Sequence, residues 1–229
     1  MEVSQNKKTF LNDWTMFEKM WLIISTITMI GLSIIWKDSA MALISGVTGI
    51  IGVVLCAKGK VSTYIFATVN VALYAIICYQ NALYGEVMLN ALYFIPMNII
   101  GFLLWNKRKD DAGNVEAKAL TKNQVIILFI GLGIAIFLYY QLLKSLGGNL
   151  QLIDSITTVT SVVALILQVM RYKEQWLVWI LVNLVSILMW VMLLNTPEGS
   201  VTMIVMWAAY LINSIYGYVN WSKLSKKEA

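Results

Sequence analysis

Eight apolar segments in a chain of 229 residues constrain the fold more than any other feature of this sequence. Each is near the roughly 20 residues that a helix needs to cross the hydrocarbon core of a bilayer. The chain is 59% hydrophobic and 13% charged, whereas soluble domains carry about 25% charged residues. Backbone groups in lipid must be hydrogen-bonded internally, so the predicted fold class is an all-α integral membrane protein. The expected spans are residues 20–36, 40–57, 61–79, 85–105, 123–143, 153–170, 176–194 and 201–219.

The distribution of basic residues predicts the orientation of these spans. With the N-terminus in the cytoplasm, fifteen of the seventeen Lys and Arg residues fall in cytoplasmic segments, and only Lys37 and Lys144 fall outside. This positive-inside asymmetry needs all eight spans and predicts that both termini are cytoplasmic. It also accounts for the net charge of +5, so no nucleic-acid partner is expected. Residues 1–19 are polar and no small-residue cleavage site follows, so we expect 20–36 to remain as a span.

The second to fourth spans resemble the sixth to eighth. The middle helix of each triplet carries an Asn, Asn70 or Asn183, and the third helix carries another, Asn98 or Asn213. Any two groups of three membrane helices look broadly alike, but the matched polar positions favour a true repeat. Because a three-helix unit has its ends on opposite sides of the membrane, two parallel units need an odd number of spans between them, and the segment 123–143 supplies one.

The predicted architecture is therefore one extra N-terminal helix followed by a 3+1+3 core of parallel repeats. Transporters are known with such repeats and with the substrate site near the bilayer midplane. The expected divisions are 1–39 for the cytoplasmic N-terminus and extra helix, 40–110 for the first repeat, 111–150 for a cytoplasmic loop and linker helix, 151–222 for the second repeat, and 223–229 for a cytoplasmic tail.

The seventh span carries a stripe of aromatic and polar side chains. Rings, an amide and a hydroxyl aligned at membrane depth indicate a place that holds a flat, polar molecule. On one helix face, at steps of four, three and four residues, lie Trp179, Asn183, Ser186 and Trp190.

Uncharged polar groups are abundant in the other spans as well. An amide in hydrocarbon is costly unless it is paired. Pairing with a neighbouring helix, worth under about 1 kcal/mol, is the alternative to a ligand site. Four Asn at matched positions favour a shared polar cavity. The candidate substrate-binding residues are Asn70, Asn90, Tyr93, Asn98, Gln168, Trp179, Asn183, Ser186, Trp190, Tyr210 and Asn213.

Tryptophans near the ends of spans usually form an interfacial belt. Trp179 and Trp190 fit either the belt or the site, and the face that they share with Asn183 favours the site. The belt interpretation is preferred for Trp21, Trp36, Trp105, Trp176 and Trp221.

Several kinds of chemistry are absent from the spans. The chain has no His, which removes imidazole catalysis and His metal sites. No Lys or Arg lies in the middle of a span, so a phosphorylated solute is not expected. No carboxylate lies deep either, which favours facilitated diffusion over proton-coupled transport. Enzyme motifs are missing, so we predict no enzyme, cofactor or metal, but a binder of a small, flat, neutral or cationic solute with hydroxyl groups.

Specific motifs resemble the PnuC family of bacterial vitamin transporters, over roughly residues 40 to 222. The most specific is Glu174-x-Trp176-x-x-Trp179-x-x-x-Asn183-x-x-Ser186. Supporting residues are Asp154-Ser155, Arg171-Tyr172, Asn70, Tyr84, Gly101-x-x-x-Trp105 and Gly217-x-x-x-Trp221.

This resemblance implies a core like that of full-length SWEET transporters, a homotrimer in the bacterial inner membrane, and uptake of nicotinamide riboside. It also implies facilitated diffusion, with a cytoplasmic kinase that phosphorylates and so traps the vitamin. Sister branches of the family carry thiamine or riboflavin, which is the alternative within transport. A receptor or assembly subunit is the alternative outside it, and the odd-numbered linker argues against that alternative.

Overall fold

The computed structural model describes residues 14–36, 39–80, 84–145, 151–194 and 201–225. This part of the chain is helical apart from its connections and a few isolated β-bridges, which confirms the predicted all-α class. The elements are α1 (Met16–Trp36), α2 (Ala40–Lys58), α3 (Thr63–Gln80), α4 (Tyr84–Leu89), a π-helical segment (Asn90–Phe94), α5 (Ile95–Asn106), α6 (Lys122–Ser145), α7 (Gln151–Val169), α8 (Gln175–Leu193) and α9 (Val201–Leu224).

Within the described ranges, six helical stretches are long and apolar enough to cross a membrane. A seventh apolar stretch, Thr63–Ile77, is shorter, and α9 is a 24-residue helix outside the six. A multi-pass membrane protein is therefore supported, while the predicted count of eight spans stays a prediction. The six stretches are Met16–Ile35, Ala40–Lys58, Val87–Asn106, Lys122–Ser145, Gln151–Val169 and Gln175–Met192.

The π-helical segment interrupts one continuous helical run from α4 to α5. Pro96 lies in the first turn of α5, and a proline can neither donate a backbone hydrogen bond nor approach the carbonyl four residues earlier. The widened turn accommodates this defect. As a result, Asn90 at its start and Phe94 at its end are set on the inner side of the bundle, where both line a cavity.

Six helices pack in a closed ring in the order α2, α3, α5, α7, α8, α9 and back to α2. Outside this ring, α1 packs against α2, and α6 packs against α7. The ring has two seams between its sequence halves, one between α2 and α9 and the other between α5 and α7.

Tryptophan side chains close both seams. At the α5–α7 seam, Trp105 Nε1 donates to the carbonyl of Val169 at 3.1 Å. At the α2–α9 seam, Trp221 Nε1 donates to the carbonyl of Cys56, also at 3.1 Å. The exposed fraction is 0% for Trp105 and Trp221 and 3% for Trp176. The interfacial belt was therefore the wrong prediction for these three residues; Trp21 is partly exposed, and the side chain of Trp36 lies outside the described set.

The turn between α2 and α3 has the same backbone form as the turn between α7 and α8. Each contains one residue in the left-handed region, Gly59 at φ 79° and Arg171 at φ 68°. Their amides close the preceding helices alike, Gly59 to the Cys56 carbonyl and Arg171 to the Gln168 carbonyl, both at 2.9 Å. A left-handed residue is a common helix stop, and glycine adopts it without steric cost.

A strap, residues 109–120, connects α5 to α6 across one end of the ring and contains a tight turn at 110–114. It bonds to both turns: Val115 N donates to the Gly59 carbonyl at 2.9 Å, and Lys118 N donates to the Arg171 carbonyl at 2.8 Å. The strap therefore links the two sequence halves at this end. Its buried side chains are Val115, 3% exposed, and Ala117, 1% exposed.

Two glycines allow an aromatic ring to lie directly on a helix backbone. A Cβ added at Gly101 would lie 2.3 Å from the Tyr64 ring, and one added at Gly217 would lie 2.6 Å from the Trp176 ring. Both separations are too short for any side chain, so each ring needs glycine beneath it.

Replacing Gly217 by Ala is expected to lower the free energy of unfolding by about 1–3 kcal/mol, because the new methyl group overpacks the buried ring of Trp176. Thermal unfolding of the purified protein, followed by tryptophan fluorescence, measures the change. Gly131→Ala is the matched control, since nothing lies within 4 Å of a Cβ added there in α6. Equal melting temperatures for the two variants would contradict this packing.

Candidate functional site

A cavity of about 260 Å³ occupies the centre of the ring. All six ring helices and the π-helical segment contribute to its wall, so its shape depends on both seams. The lining residues are Gly49, Gly52, Val53, Cys56, Thr63, Ala67, Asn70, Val71, Asn90, Phe94, Asn98, Leu165, Gln168, Trp176, Trp179, Asn183, Trp207, Tyr210, Asn213 and Ser214.

Most of the residues predicted from the sequence meet at this cavity. Tyr93, Ser186 and Trp190 are the exceptions. Tyr93 donates its hydroxyl to the Val162 carbonyl at 2.7 Å and so ties the π-helical segment to α7. The last two members of the stripe on α8, Ser186 and Trp190, therefore lie outside the lining of this cavity. The eight predicted residues that line the cavity are Asn70, Asn90, Asn98, Gln168, Trp179, Asn183, Tyr210 and Asn213.

Sequence reasoning missed two of the tryptophans that line the cavity, Trp176 and Trp207. A signal existed for both. Trp176 precedes Trp179 and Asn183 by three and seven residues, so the stripe on α8 begins one turn earlier than predicted. Trp207 precedes Tyr210 by three residues, and their rings meet edge to face with centroids 5.8 Å apart.

Three of the lining amides have protein partners for their nitrogen atoms. Asn70 Nδ2 donates to the Ser45 carbonyl at 2.8 Å. Asn183 Nδ2 donates to Ser214 Oγ at 2.9 Å, and Asn213 Nδ2 donates to the Val53 carbonyl at 3.0 Å. These bonds join neighbouring helices, so the amides first of all hold the cavity wall together.

Other polar atoms of the lining residues have no partner within the described part of the chain. They are Asn213 Oδ1 and the indole nitrogens of Trp176 and Trp207. Buried polar groups are nearly always hydrogen-bonded to protein, water or ligand. One acceptor and two donors around one cavity are therefore the groups that a polar ligand or ordered water would satisfy.

No charged side chain belongs to the described lining of the cavity. No cluster of metal-ligating side chains occurs in the described ranges either. The wall instead combines aromatic rings with a few amides and hydroxyls, which is the usual make-up of a site for a small organic ligand. Rings of this kind attract a cation through their π faces, at about 2 kcal/mol when water is excluded.

Gly49 keeps one side of the cavity open. A Cβ at this position would lie 3.0 Å from Asn70 Nδ2 and 3.2 Å from the Tyr210 hydroxyl. A larger residue on α2 would therefore push two lining side chains out of place.

Comparison with known proteins gives one consistent family. A family model described as the nicotinamide mononucleotide transporters matches residues 39–223. A protein of Neisseria mucosa named nicotinamide riboside transporter PnuC is 37% identical, with 100% of this chain and 89% of that protein covered. A protein of the same name from Haemophilus influenzae is 37% identical, with 96% of each covered.

A more distant relative of that name, from Escherichia coli, is 27% identical over 69% of this chain and 74% of its own length. Among solved structures, a crystal structure of the vitamin B3 transporter PnuC superposes with a TM-score of 0.83 at 36% identity, and covers 100% of both chains. The likeness in fold therefore extends over the same length as the likeness in sequence.

Proposed function

This chain belongs to the PnuC family, and from that membership we propose that it takes up nicotinamide riboside across the bacterial inner membrane. The observation that carries the proposal is the uncharged wall of amides and aromatic rings around the central cavity. Nicotinamide riboside is a flat pyridinium with a carboxamide and a ribose. Rings suit the pyridinium face, and amides and hydroxyls suit the carboxamide and the ribose.

The lining favours the riboside over the mononucleotide that gives the matching family model its description. A phosphate group buried without a cation is very costly, and proteins normally meet it with Arg or Lys. The described lining offers neither. The proposed substrate is therefore the dephosphorylated form.

We assign the pyridinium ring to Trp176, Trp179 and Tyr210, which line the cavity, rather than to Trp190, which does not. The carboxamide and ribose are assigned to the amide side chains. Asn98 is 3% exposed, and its side chain makes no hydrogen bond within the described residues, so both ends of its amide are available to substrate. The set proposed for hydrogen bonding is Asn70, Asn90, Asn98, Gln168, Asn183 and Asn213.

Facilitated diffusion is the proposed mode of transport. A proton-coupled carrier places a titrating carboxylate or imidazole at its site, and the described lining has none. Net uptake then needs a sink, which a cytoplasmic kinase supplies by phosphorylating the vitamin. The phosphorylated vitamin carries a negative phosphate, and the described cavity lining has no Lys or Arg to bind it.

The proposed architecture is an extra helix α1 followed by a 3+1+3 core like that of full-length SWEET transporters, assembled as a homotrimer. The matching turns at Gly59 and Arg171 support two equivalent halves. When Gly59 is aligned with Arg171, Asn70 corresponds to Val182, and the two Asn positions are therefore offset by one residue. Both termini and the strap are placed on the cytoplasmic side, in accord with the distribution of Lys and Arg.

Calorimetry on the purified protein is expected to show micromolar binding of nicotinamide riboside, about −8 kcal/mol. Nicotinamide mononucleotide should bind at least about 100-fold more weakly, because its phosphate has no cationic partner and a buried unpaired charge costs several kcal/mol. Thiamine and riboflavin are the comparison ligands from sister branches. Equal affinity for the riboside and the mononucleotide would contradict the proposed substrate.

Asn183→Leu is expected to weaken binding of the riboside by about 10-fold or more, because it removes a lining amide and leaves Ser214 Oγ unpaired, at about 1–3 kcal/mol. Ser186→Ala lies on the same helix but outside the cavity lining, and should bind as the unmodified protein does. The dissociation constants of the two variants, measured by calorimetry, test this expectation. Loss of affinity in both variants would place the site farther along α8.

Uptake of labelled nicotinamide riboside into liposomes is expected to equilibrate at equal concentrations inside and outside. A proton ionophore should leave the initial rate unchanged, because neither a carboxylate nor an imidazole lies at the described site. Enclosing a riboside kinase with ATP in the liposomes should raise total accumulation severalfold. Accumulation above the external concentration that depends on a pH gradient would contradict facilitated diffusion.

A further inference from the structure

A carboxylate of α1 lies buried beside the α2–α9 seam. Glu18 is 3% exposed. Its Oε2 accepts a hydrogen bond from Lys58 Nζ at 3.0 Å, and its Oε1 accepts one from the Tyr216 hydroxyl at 2.9 Å. Because Lys58 belongs to α2 and Tyr216 to α9, this one carboxylate bonds to both helices of the seam.

The start of α1 holds this carboxylate in place. Thr15 N donates to Glu18 Oε2 at 2.7 Å, and Glu18 N donates to Thr15 Oγ1 at 3.2 Å. This reciprocal pair is a capping box, which fixes the first turn of a helix. Around it, the rings of Phe17 and Tyr216 lie 4.7 Å apart, and Lys58 Nζ lies 5.5 Å from the centre of the Trp14 ring.

Net stabilisation does not account for a buried ion pair of this kind. The desolvation of two charges offsets most of their attraction, and apolar replacements of both partners are often equally stable. A hydrogen-bonded carboxylate fixes the relative position of the groups that it joins. Here the carboxylate of Glu18 fixes the position of α9 relative to α2.

That position sets part of the cavity wall. Tyr216 lies one turn beyond Asn213 on α9, and Asn213 donates to the Val53 carbonyl of α2 at 3.0 Å. Both Asn213 and Val53 line the cavity, whereas Glu18 and Tyr216 do not. A displacement of α9 along α2 would therefore move the amide of Asn213 and strain its bond to Val53, although neither Glu18 nor Tyr216 lines the cavity.

We propose that Glu18 is a positioning residue for the substrate site, which acts through Tyr216 to hold the Asn213 face of α9 in register with α2. The proposal rests on the proposed function. It makes α1 part of the transporting unit rather than a membrane anchor.

Tyr216→Phe removes the bond to Glu18 and keeps the ring packed on Phe17. The KM for riboside uptake into liposomes should rise about tenfold, with the maximal rate per folded protein within twofold of that of the unmodified protein. A merely structural role would instead lower the maximal rate with the amount of folded protein and leave KM unchanged. Tyr218→Phe is the matched control on the same helix, because no hydrogen bond of its hydroxyl occurs in the described part of the chain, and its KM should not change.

A pair of double variants tests Glu18 by replacing it together with its ion-pair partner Lys58. Glu18→Gln with Lys58→Met keeps one acceptor oxygen for the Tyr216 hydroxyl and gives up the oxygen that accepts from Thr15 N, and its KM should stay within threefold. Glu18→Leu with Lys58→Met removes the acceptor, and its KM should rise about tenfold, with no further rise when Tyr216→Phe is added.

An unchanged KM in Tyr216→Phe, or in the double variant Glu18→Leu with Lys58→Met, overturns the positioning role while the proposed function stands. An equal rise of KM in the two double variants, with Gln or with Leu at position 18, also overturns the positioning role. The ion pair, rather than the bond to Tyr216, would then determine KM. If the unmodified protein shows neither saturable uptake nor calorimetric binding of the riboside, the proposed function fails and this proposal falls with it.

Discussion

The absence of water at membrane depth governs this structure, because each polar group there must find its partner within the protein. The last carbonyls of every helix lack a donor in their own helix. The indole of Trp105 supplies a donor from the neighbouring half to Val169 of α7. The indole of Trp221 likewise supplies a second donor to Cys56 of α2, whose carbonyl also accepts from Gly59 N. The bonds that satisfy the helix ends are thus the bonds that close the ring, and a closed ring is what encloses a cavity.

The same constraint shapes the cavity itself. Asn70, Asn183 and Asn213 each use the amide nitrogen to bond a neighbouring helix. Structural pairing and ligand binding are therefore not alternatives for these side chains, because one end of an amide can hold the wall while the other end faces an unmet partner. Asn213 shows this division, since its nitrogen bonds to Val53 and its oxygen has no partner in the described structure.

Hydropathy predicted the helical class and most of the spans, and the polar residues within them predicted eight of the residues around the cavity. Neither hydropathy nor the positions of polar residues could predict the direction in which a tryptophan points. A tryptophan near the end of a span gives the same pattern whether it faces lipid headgroups or a seam. Trp176 is buried because Gly217 leaves room for its ring, and Trp105 and Trp221 are buried because helix-end carbonyls accept from their indoles. These glycine and carbonyl partners belong to other helices.

Glu18 illustrates a second limit of sequence reasoning. It stands in a polar stretch ahead of the first apolar run, where a charged residue is expected in water. Its burial depends on Lys58 and Tyr216, which are 40 and 198 residues away along the chain. No local pattern brings these three side chains together; the packing of α1 against α2, and of α2 against α9, does so.

The two seams are unequal in strength. Side chains of α9 make three described hydrogen bonds to carbonyls of α2, from Asn213, Asn220 and Trp221, and Glu18 adds its bridge. The α5–α7 seam has two, from Tyr93 and Trp105. At about 0.6 kcal/mol for each interhelical bond in a membrane, separating α2 from α9 costs more than separating α5 from α7. Any movement of one half against the other therefore meets less resistance at the α5–α7 seam, and the bond from Tyr216 to Glu18 of α1 enlarges the difference.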